Sequence, residues 1–488
     1  MYDVTIIGCG IIGAAAAYEL SQYNLRVAVL EKENDIATGT TKANSAIIHA
    51  GFDPKPGTLM ARLNVEGNAF AREIFAQLDI PHKKCGALVL AFSQEEMATL
   101  DMLLQNGTAN GVPGLRILNR EQTLQLEPNL SDNVYGALET PTAMIVNPWE
   151  YALALAETAV KNGVELYREC EVTGIEAVDD GYNVRINSLA GTACDHSQSS
   201  QQLQTRCIIN AAGLHADTIS SMISHEKIET RPDRGEYFLL DKSEGSRVSR
   251  VVFQCPTAAG KGILVAPTVH GNLIVGPSSV GVTSRDDVST STHVLESVKI
   301  SAQKSVPGID FRASIRNFAG IRAKTASKDF IIEETQPGFI NLAGIASPGL
   351  SSAPAIAKMA VQMLPVSLTP RIGDYTRKRT RFHELSPAQK ADLISQNPTY
   401  GNVICRCETI TEGEILDALN SPIPPRSVDG VKRRTGTGMG RCQGGFCSPR
   451  IVEILAKWYS CSPLEILQDG AGMQILAIDM GEAEPHMH

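Results

Sequence analysis

The chain has 488 residues and a formal net charge of −9, with 43% hydrophobic and 20% charged residues. This length predicts two to four domains, and the composition is that of an ordinary globular protein. The negative charge argues against a nucleic-acid partner, and no apolar run is long enough to span a membrane. The first residues lack the pattern of a secretory signal, so we expect a cytoplasmic protein. Eleven cysteines in such a chain do not indicate a disulfide framework.

The first thirty residues have the pattern of a strand, a glycine-rich turn, a helix and a second strand. An apolar run at 2–7 is followed by Gly8, Gly10 and Gly13 in the spacing G-x-G-x-x-G, and a strand at 26–30 ends at Glu31. Gly8 permits the tight turn, Gly10 lets the backbone approach a pyrophosphate, and Gly13 lets helix and strand pack closely. The helix N-terminus favours phosphates, and Glu31 can accept hydrogen bonds from ribose hydroxyls. The sequence therefore predicts a dinucleotide site, with an ordinary βα turn as the alternative.

Small and polar residues follow at 37–52, a stretch that ends in His49-Ala50-Gly51-Phe52. Such a stretch lets the backbone run close to a flat ligand. Here the chain resembles the FAD enzymes of the glycine-oxidase and D-amino-acid-oxidase group, which includes glycerol-3-phosphate dehydrogenases and L-2-hydroxyglutarate oxidases. The resemblance implies that the stretch passes under the flavin, with His49 beside the isoalloxazine.

The middle of the chain predicts alternating helices and strands. We expect helices at 64–78, 93–106 and 148–162, and strands at 85–92, 164–167 and 171–176. Ser93 is the predicted cap of the second helix, Pro148 lies in the first turn of the third, and Gly163 ends it. A polar insertion at 190–205 predicts a surface hairpin loop. Residues 230–325 are predicted to be mostly β, with strands at 235–240, 262–266 and 272–275, forming a sheet laid over the flavin.

Three later stretches extend the resemblance over residues 1 to about 370. A strand at 207–213 ends in small residues, residues 318–322 are similar to the segment that supplies a substrate-binding arginine, and residues 339–350 are similar to the closing flavin stretch before a helix at 352–364. The resemblance implies FAD contacts from Gly8, Gly10, Gly13, Glu31, Lys32, Thr40, Thr41, Ser45, Val172, Ala212, Gly213, Gly344, Gly349 and Leu350.

Four cysteines cluster near the end of the chain, as Cys405-x-Cys407 and Cys442-x4-Cys447. Two thiolate pairs on loops at helix starts can bind Zn²⁺ or a [2Fe–2S] cluster. The order of the cysteines, with Arg406 between the first two, resembles the bacterioferritin-associated-ferredoxin type of module, which favours the cluster over zinc. Helices are predicted at 411–419 and 448–459, and the scattered cysteines are predicted to be small buried side chains.

These features together predict an α/β fold: a Rossmann-type FAD-binding domain with an inserted antiparallel β substrate domain, plus a small C-terminal α-rich iron–sulfur module. The predicted oxidoreductase spans 1–370, with FAD-binding parts at about 1–80, 145–225 and 320–370 and substrate parts at about 81–144 and 226–319. A linker at 371–399, a [2Fe–2S]-binding domain at 400–470 and a tail at 471–488 follow.

Two residues are the candidates for substrate chemistry. His49 is the candidate base, because an imidazole ordinarily titrates near neutral pH; the alternative is that it only hydrogen-bonds the flavin or backbone. Arg322 has the planar fork suited to phosphate or carboxylate, with an internal ion pair or a surface position as the alternative. Lys55, Tyr237 and Lys324 are lesser candidates for the pocket.

We expect a FAD-dependent dehydrogenase that oxidises a small anionic substrate, most similar to the type that converts glycerol 3-phosphate to dihydroxyacetone phosphate. An L-2-hydroxyglutarate or amino-acid dehydrogenase or oxidase is the first alternative, and a non-catalytic electron-transfer subunit is another. No second strand–G-x-G-x-x-G–helix unit occurs, so electrons are expected to leave through the cluster to a partner subunit, or directly to oxygen. Peripheral attachment to the inner membrane through that partner is an alternative to a free cytoplasmic location. Residues 426–450 hold six basic residues and one acidic residue, which would suit an acidic partner or a solvated surface.

Overall fold

The computed structural model describes residues 1–188, 201–224, 227–256 and 262–476. Its strands in chain order are β1 (Tyr2–Ile7), β2 (Val27–Leu30), β3 (Ile47–Ile48), β4 (His82–Lys83), β5 (Ala87–Ala91), β6 (Arg116–Asn119), β7 (Gly136–Thr140), β8 (Met144–Val146), β9 (Glu165–Tyr167), β10 (Cys170–Val178), β11 (Gly181–Ser188), β12 (Gln201–Asn210), β13 (Arg231–Leu240), β14 (Val251–Gln254), β15 (Leu264–Pro267), β16 (Leu273–Gly276), β17 (Val280–Gly281), β18 (Ser314–Lys324), β19 (Ile331–Gln336), β20 (Phe339–Ala343), β21 (Val403–Cys405) and β22 (Ile410–Thr411). Its helices are α1 (Ile11–Leu20), α2 (Leu59–Gln77), α3 (Gln94–Ala109), α4 (Arg120–Leu126), α5 (Pro148–Lys161), α6 (Ala216–Ser220), α7 (Thr292–Ser305), α8 (Gly349–Met363), α9 (Pro387–Gln396), α10 (Glu412–Leu419), α11 (Val428–Thr435) and α12 (Ser448–Tyr459).

The first sheet has the parallel centre predicted from the N-terminal pattern. Its strand order is β10-β11-β12-β1-β2-β9, and β20 and β19 extend it beside β12. β1 runs parallel to both β2 and β12, so that Ile7 lies opposite Leu30 on one side and Asn210 on the other. α1 packs against α5 and α8, and their apolar faces form the largest core with the buried side of the sheet. This layered arrangement confirms the Rossmann-type domain.

The second sheet has nine strands in the order β17-β13-β16-β15-β14-β5-β7-β6, with β18 beside β13. It combines strands from the two chain segments predicted as the substrate parts. Its pairings are antiparallel as predicted, except that β5 and β14 run parallel, with Val251 opposite Ala87. β5 and β14 belong to the two separate segments that form this sheet, so two strands from distant parts of the sequence lie side by side.

The C-terminal module is small and mainly helical. β21 and β22 pair antiparallel, and α10, α11 and α12 enclose a core that includes Ile415, Val431 and Leu455. The predicted linker at 371–399 contains α9 and packs against the first domain. Arg377 donates to Glu157 at 2.8 Å and Arg381 to Glu150 at 2.8 Å, both on α5.

Most helix boundaries agree with the sequence. Ser93, Asn147 and Thr411 accept the capping hydrogen bonds of α3, α5 and α10. α2 begins five residues earlier than predicted, because Thr58 caps it, and α7 was not predicted at all.

Of the insertion predicted at 190–205, residues 201–205 belong to β12, and 190–200 lie outside the described residues, as do 477–488 of the predicted tail. Among the helices described, none has the length and apolar character needed to cross a bilayer.

Candidate functional site

The glycine turn between β1 and α1 provides the backbone shape that a pyrophosphate needs. Gly8 has φ +93°, and a Cβ there would lie 2.7 Å from the Ala211 carbonyl oxygen. A Cβ on Gly13 would lie 1.9 Å from the Gly8 oxygen, whereas one on Gly10 would meet only the Thr41 hydroxyl, at 3.3 Å. The first and third glycines are therefore required by the fold itself. The second leaves room in front of a helix whose N-cap has no side-chain hydrogen bond, which fits a phosphate ligand.

Glu31 ends β2 and lies buried behind this turn. Its carboxylate accepts from the Cys9 amide at 2.7 Å and from the Glu33 amide at 3.0 Å. Burial raises the pKa of Glu31 to about 7, although the two amides favour the charged form. A ribose hydroxyl is a further donor that would favour the ionised carboxylate. The neighbouring Lys32 lies 3.3 Å from the His215 ring and 3.5 Å from Glu33.

The segment containing Thr40, Thr41 and Ser45 connects the glycine turn to the second sheet. Thr41 accepts from the Ile11 amide at 2.9 Å, and Thr40 donates to the Ile321 carbonyl at 2.6 Å. The Ser45 and Tyr237 hydroxyls are 3.3 Å apart. All three predicted residues therefore lie between the two sheets, where a cofactor held by the glycine turn would extend.

The other predicted FAD residues lie along the same edge of the first sheet. β1, β12 and β20 are parallel, so their carboxyl ends meet at one edge. The residues that follow them there are Gly8, Ala212, Gly213 and Gly344, and Gly349 and Leu350 begin α8. Val172 is buried in β10 of the same sheet. In open α/β sheets this edge is where ligands bind.

His49 is held firmly through its backbone. Its amide donates to the Ser351 hydroxyl at 2.7 Å, and its carbonyl accepts from Asn64 at 2.8 Å and Asn68 at 3.1 Å. The ring stacks on Phe253 with centroids 5.7 Å apart, which places it between α8 and the second sheet. The sequence did not identify these four neighbours. A sequence signal existed for two of them, because Asn64 and Asn68 lie four residues apart on one face of a predicted helix.

Arg322 lies on β18 and forms an internal ion pair. Such an ion pair was the alternative to a substrate role in the sequence analysis. Its guanidinium pairs with Asp233 and donates to the Ser278 carbonyl at 3.0 Å, and its side chain is 18% exposed. Lys324 also lies 2.8 Å from Asp233. Burial alone would raise the pKa of Asp233, but the Lys324 hydrogen bond and the Arg322 charge lower it. The site therefore contains two cations on one carboxylate, which leaves net positive charge for an anionic ligand.

The four late cysteines lie as two cross-loop pairs. The Cys407 and Cys442 sulfurs are 3.6 Å apart, and Cys405 is hydrogen-bonded by Cys447. That thiol hydrogen bond and the amides of Gly438 and Glu408 outweigh burial and lower the pKa of Cys405 to about 6. A thiolate that accepts backbone N–H bonds is suited to an iron–sulfur centre.

Glycine is also required where the two loops meet. A Cβ on Gly440 would lie 2.2 Å from the Cys407 Cβ. Among the described residues no three His, Cys, Asp or Glu side chains already surround a common metal position. The fit to a cluster therefore rests on the donor set of four thiols and on the amides directed at their sulfurs.

The module is fixed to the loop that follows Glu31. Asp35 is buried and accepts from Arg434 at 2.8 Å and from Arg433 at 2.9 Å. Burial opposes the ionisation of Asp35, but the two arginines hold its pKa well below the usual range. Asp469 binds Arg433 at 2.8 Å and Lys42 at 2.9 Å. Asp35 and Lys42, both in the segment between β2 and β3 that contains Thr40 and Thr41, are therefore tied to the cysteine module.

The basic run at 426–450, predicted to suit an acidic partner, is largely occupied within the chain. All six basic residues pair with acids of this protein: Arg426 with Glu169, Lys432 with Asp429, Arg433 and Arg434 with Asp35, Arg441 with Asp241, and Arg450 with Glu453. Four of them, Arg426, Arg433, Arg434 and Arg441, pair with acids in the first 370 residues and so fix the module there, whereas the other two pairs lie within the module.

The fold and the two sites define a flavin-dependent oxidoreductase with a cysteine-rich electron-transfer module. A family model described as FAD dependent oxidoreductase matches residues 3–363, and one described as BFD-like [2Fe-2S] binding domain matches residues 403–457. The chain belongs to the FAD-dependent oxidoreductase family and carries a C-terminal [2Fe–2S] domain, so its cofactors are FAD and a [2Fe–2S] cluster.

Three known proteins show how far the similarity extends. A glycerol 3-phosphate dehydrogenase of Caloramator mitchellensis is 47% identical over 98% of both chains. A glycerol 3-phosphate oxidase of Mycoplasma genitalium is 36% identical, over 76% of this chain and 96% of its own. The structure of a dithionite-reduced L-alpha-glycerophosphate oxidase from Mycoplasma pneumoniae with FAD bound has a TM-score of 0.72 and 32% identity, covering 78% of this chain and 99% of its own.

Proposed function

We propose that this protein is a glycerol-3-phosphate dehydrogenase that passes electrons from FAD through its [2Fe–2S] cluster to an acceptor protein. The main support is the 47% identity to a protein of that name over 98% of both chains, a span that includes the cysteine module. The oxidases named above cover only 76% and 78% of this chain, compared with 98% for the dehydrogenase.

The contacts of His49 suit a base at the substrate hydroxyl. Oxidation of the C2 alcohol to a ketone removes two electrons and two protons, and bound FAD supplies the two-electron acceptor. His49 takes the hydroxyl proton, because its backbone is fixed on both sides and its ring faces the second sheet. The Phe253 ring covers one face of the imidazole.

Arg322 and Lys324 are the proposed phosphate-binding groups. Both converge on Asp233, so a phosphate that approaches them meets two cations and one carboxylate. A guanidinium fork can bind two phosphate oxygens while the Ser278 carbonyl holds its other edge. The same residues would bind a carboxylate, so the substrate needs a direct test.

Anaerobic reduction of the flavin is that test. Glycerol 3-phosphate should bleach the absorbance of bound FAD within the time of mixing, and L-2-hydroxyglutarate, glycine and proline should leave it unchanged. Bleaching by hydroxyglutarate alone would move the assignment to that substrate. A flavin that no small substrate reduces, but that dithionite bleaches, would make the chain an electron-transfer subunit.

A further inference from the structure

The two cysteine pairs differ in their exposure to solvent. Cys405 and Cys447 are buried in the core of the module, whereas Cys407 and Cys442 are exposed. A cluster held by all four therefore has one protein-facing side and one solvent-facing side. Electrons leaving for another protein have their shortest route through the Cys407 and Cys442 side.

An apolar and basic surface surrounds the exposed pair. Phe446 is 53% exposed, and the Arg406 guanidinium lies 4.6 Å from its ring centroid. Arg316, from β18, reaches Gln443 in the cysteine loop at 3.5 Å. We call the group of Arg316, Arg406, Arg441 and Phe446, together with the two exposed cysteines, the cluster face.

The charges of the cluster face do not cancel. Asp241 offsets Arg441. Glu408, beside Cys407, is offset by Lys242. Among the residues the structure describes, Arg316 and Arg406 form no ion pair with an acid. The excess positive charge is therefore local, on a chain whose net charge is −9.

We propose that the cluster face docks an acidic protein that carries one electron at a time. This inference rests on the proposed exit of electrons through the cluster. Each docked carrier takes one electron, so two carriers are reduced for each substrate oxidised, and the two protons go to solvent. Opposite charge raises the rate of encounter, and the exposed aromatic ring gives the contact an apolar centre. An anionic lipid surface would also attract the arginines, but it would not account for the two exposed cysteines at their centre.

The test measures binding to two haem proteins of opposite charge. Dissociation constants for acidic cytochrome b5 and basic cytochrome c are determined by titration at low ionic strength, using the complete protein with both cofactors. The variant R316E/R406E reverses two exposed charges, and R62E on α2, whose side chain is 53% exposed, is the matched control. Absorption spectra confirm that each variant retains both cofactors.

We expect cytochrome b5 to bind the parent protein and R62E alike, and to bind R316E/R406E at least about tenfold more weakly. Cytochrome c should show the reverse order, and 0.5 M salt should remove most of the difference. With protein reduced by dithionite, the rate of cytochrome b5 reduction should fall in the same variant. This part of the test does not depend on glycerol 3-phosphate, so it can fail while the flavin still bleaches with that substrate.

Two results would overturn the proposal. One is a cytochrome b5 affinity that is unchanged in R316E/R406E, or reduced equally in R62E. The other is tight binding to phosphatidylglycerol vesicles, lost in R316E/R406E, with no binding of cytochrome b5, which would assign the cluster face to an anionic membrane surface.

Discussion

At the residue scale, each glycine of the fingerprint has a different structural reason. The sequence predicted a turn at Gly8, a pyrophosphate approach at Gly10 and close packing at Gly13, and the structure supplies the contacts behind these roles. Gly8 and Gly13 have no room for a Cβ because backbone atoms lie within 2.7 Å of it, whereas Gly10 has a hydroxyl at 3.3 Å. The pattern does not show which atoms set these limits, since Ala211 and Thr41 come from other elements.

The variant Gly10→Val should therefore fold and lose FAD. Its side chain would enter the space in front of α1 and displace only the Thr41 hydroxyl. We expect a normal circular dichroism spectrum and no flavin absorbance at 450 nm in the purified protein. The matched variant Gly13→Ala should instead fail to fold stably, because its Cβ would overlap the Gly8 carbonyl. Full FAD occupancy in Gly10→Val would contradict the site.

Arg322 gives a prediction about substrate binding. Arg322→Ala should raise KM strongly and cost about 2–4 kcal/mol in kcat/KM, as expected for the loss of a charge-assisted fork to phosphate. Arg322→Lys should recover part of this, since a point charge replaces the fork. Steady-state kinetics with glycerol 3-phosphate and a dye acceptor measures both. If KM stays the same in the alanine variant, Arg322 serves only its ion pair with Asp233.

At the element scale, caps and motifs were predictable and contacts between elements were not. Ser93, Pro148 and Thr411 mark helix starts through local hydrogen bonds and proline geometry, which the sequence displays directly. α7 was missed although Val294, Leu295, Val298 and Ala302 recur at helical spacing, because residues 230–325 were predicted as mostly β. The docking of α11 was hidden for another reason: Asp35 and Arg434 are 399 residues apart, and no local pattern connects them.

Asp35→Asn should release the cysteine module from the first domain. The substitution leaves the Arg433 and Arg434 guanidiniums buried without their main counter-charge, which typically costs about 3–5 kcal/mol. We expect a lower midpoint in urea denaturation and faster proteolytic cleavage between 364 and 402. The comparison variant Lys299→Ala removes an exposed pair on α7 and should change stability by less than about 1 kcal/mol. Equal behaviour of the two variants would mean that the buried cluster does not hold the module in place.

At the scale of the whole molecule, the chain joins a substrate-oxidising unit and an electron exit into one packed body. Asp35 and Lys42 tie the segment between β2 and β3 to the module, Asp241 and Lys242 tie the second sheet to it, and the segment at 371–399 packs along α5. Because these contacts come from three separate parts of the chain, the module is fixed against the first 370 residues at several points. The sequence predicted both units and their order, but not that they dock together.

Removing one exposed cysteine of the predicted cluster site tests whether the two units work in series. Cys442→Ser should leave FAD binding and anaerobic flavin bleaching nearly intact, because the first 370 residues form that site and Cys442 lies at the surface of the module. Turnover with a protein acceptor should disappear, while slow turnover with small dyes that reach the flavin should remain. Cys461→Ser, in the same module but outside the two pairs, is the control and should keep both activities.

Iron analysis of protein purified without air completes the test. Two iron atoms per chain in the parent and in Cys461→Ser, with loss in Cys442→Ser, supports the electron path. Stoichiometric zinc without iron in the parent would instead make the module a structural element, and the route of electrons through it would be wrong.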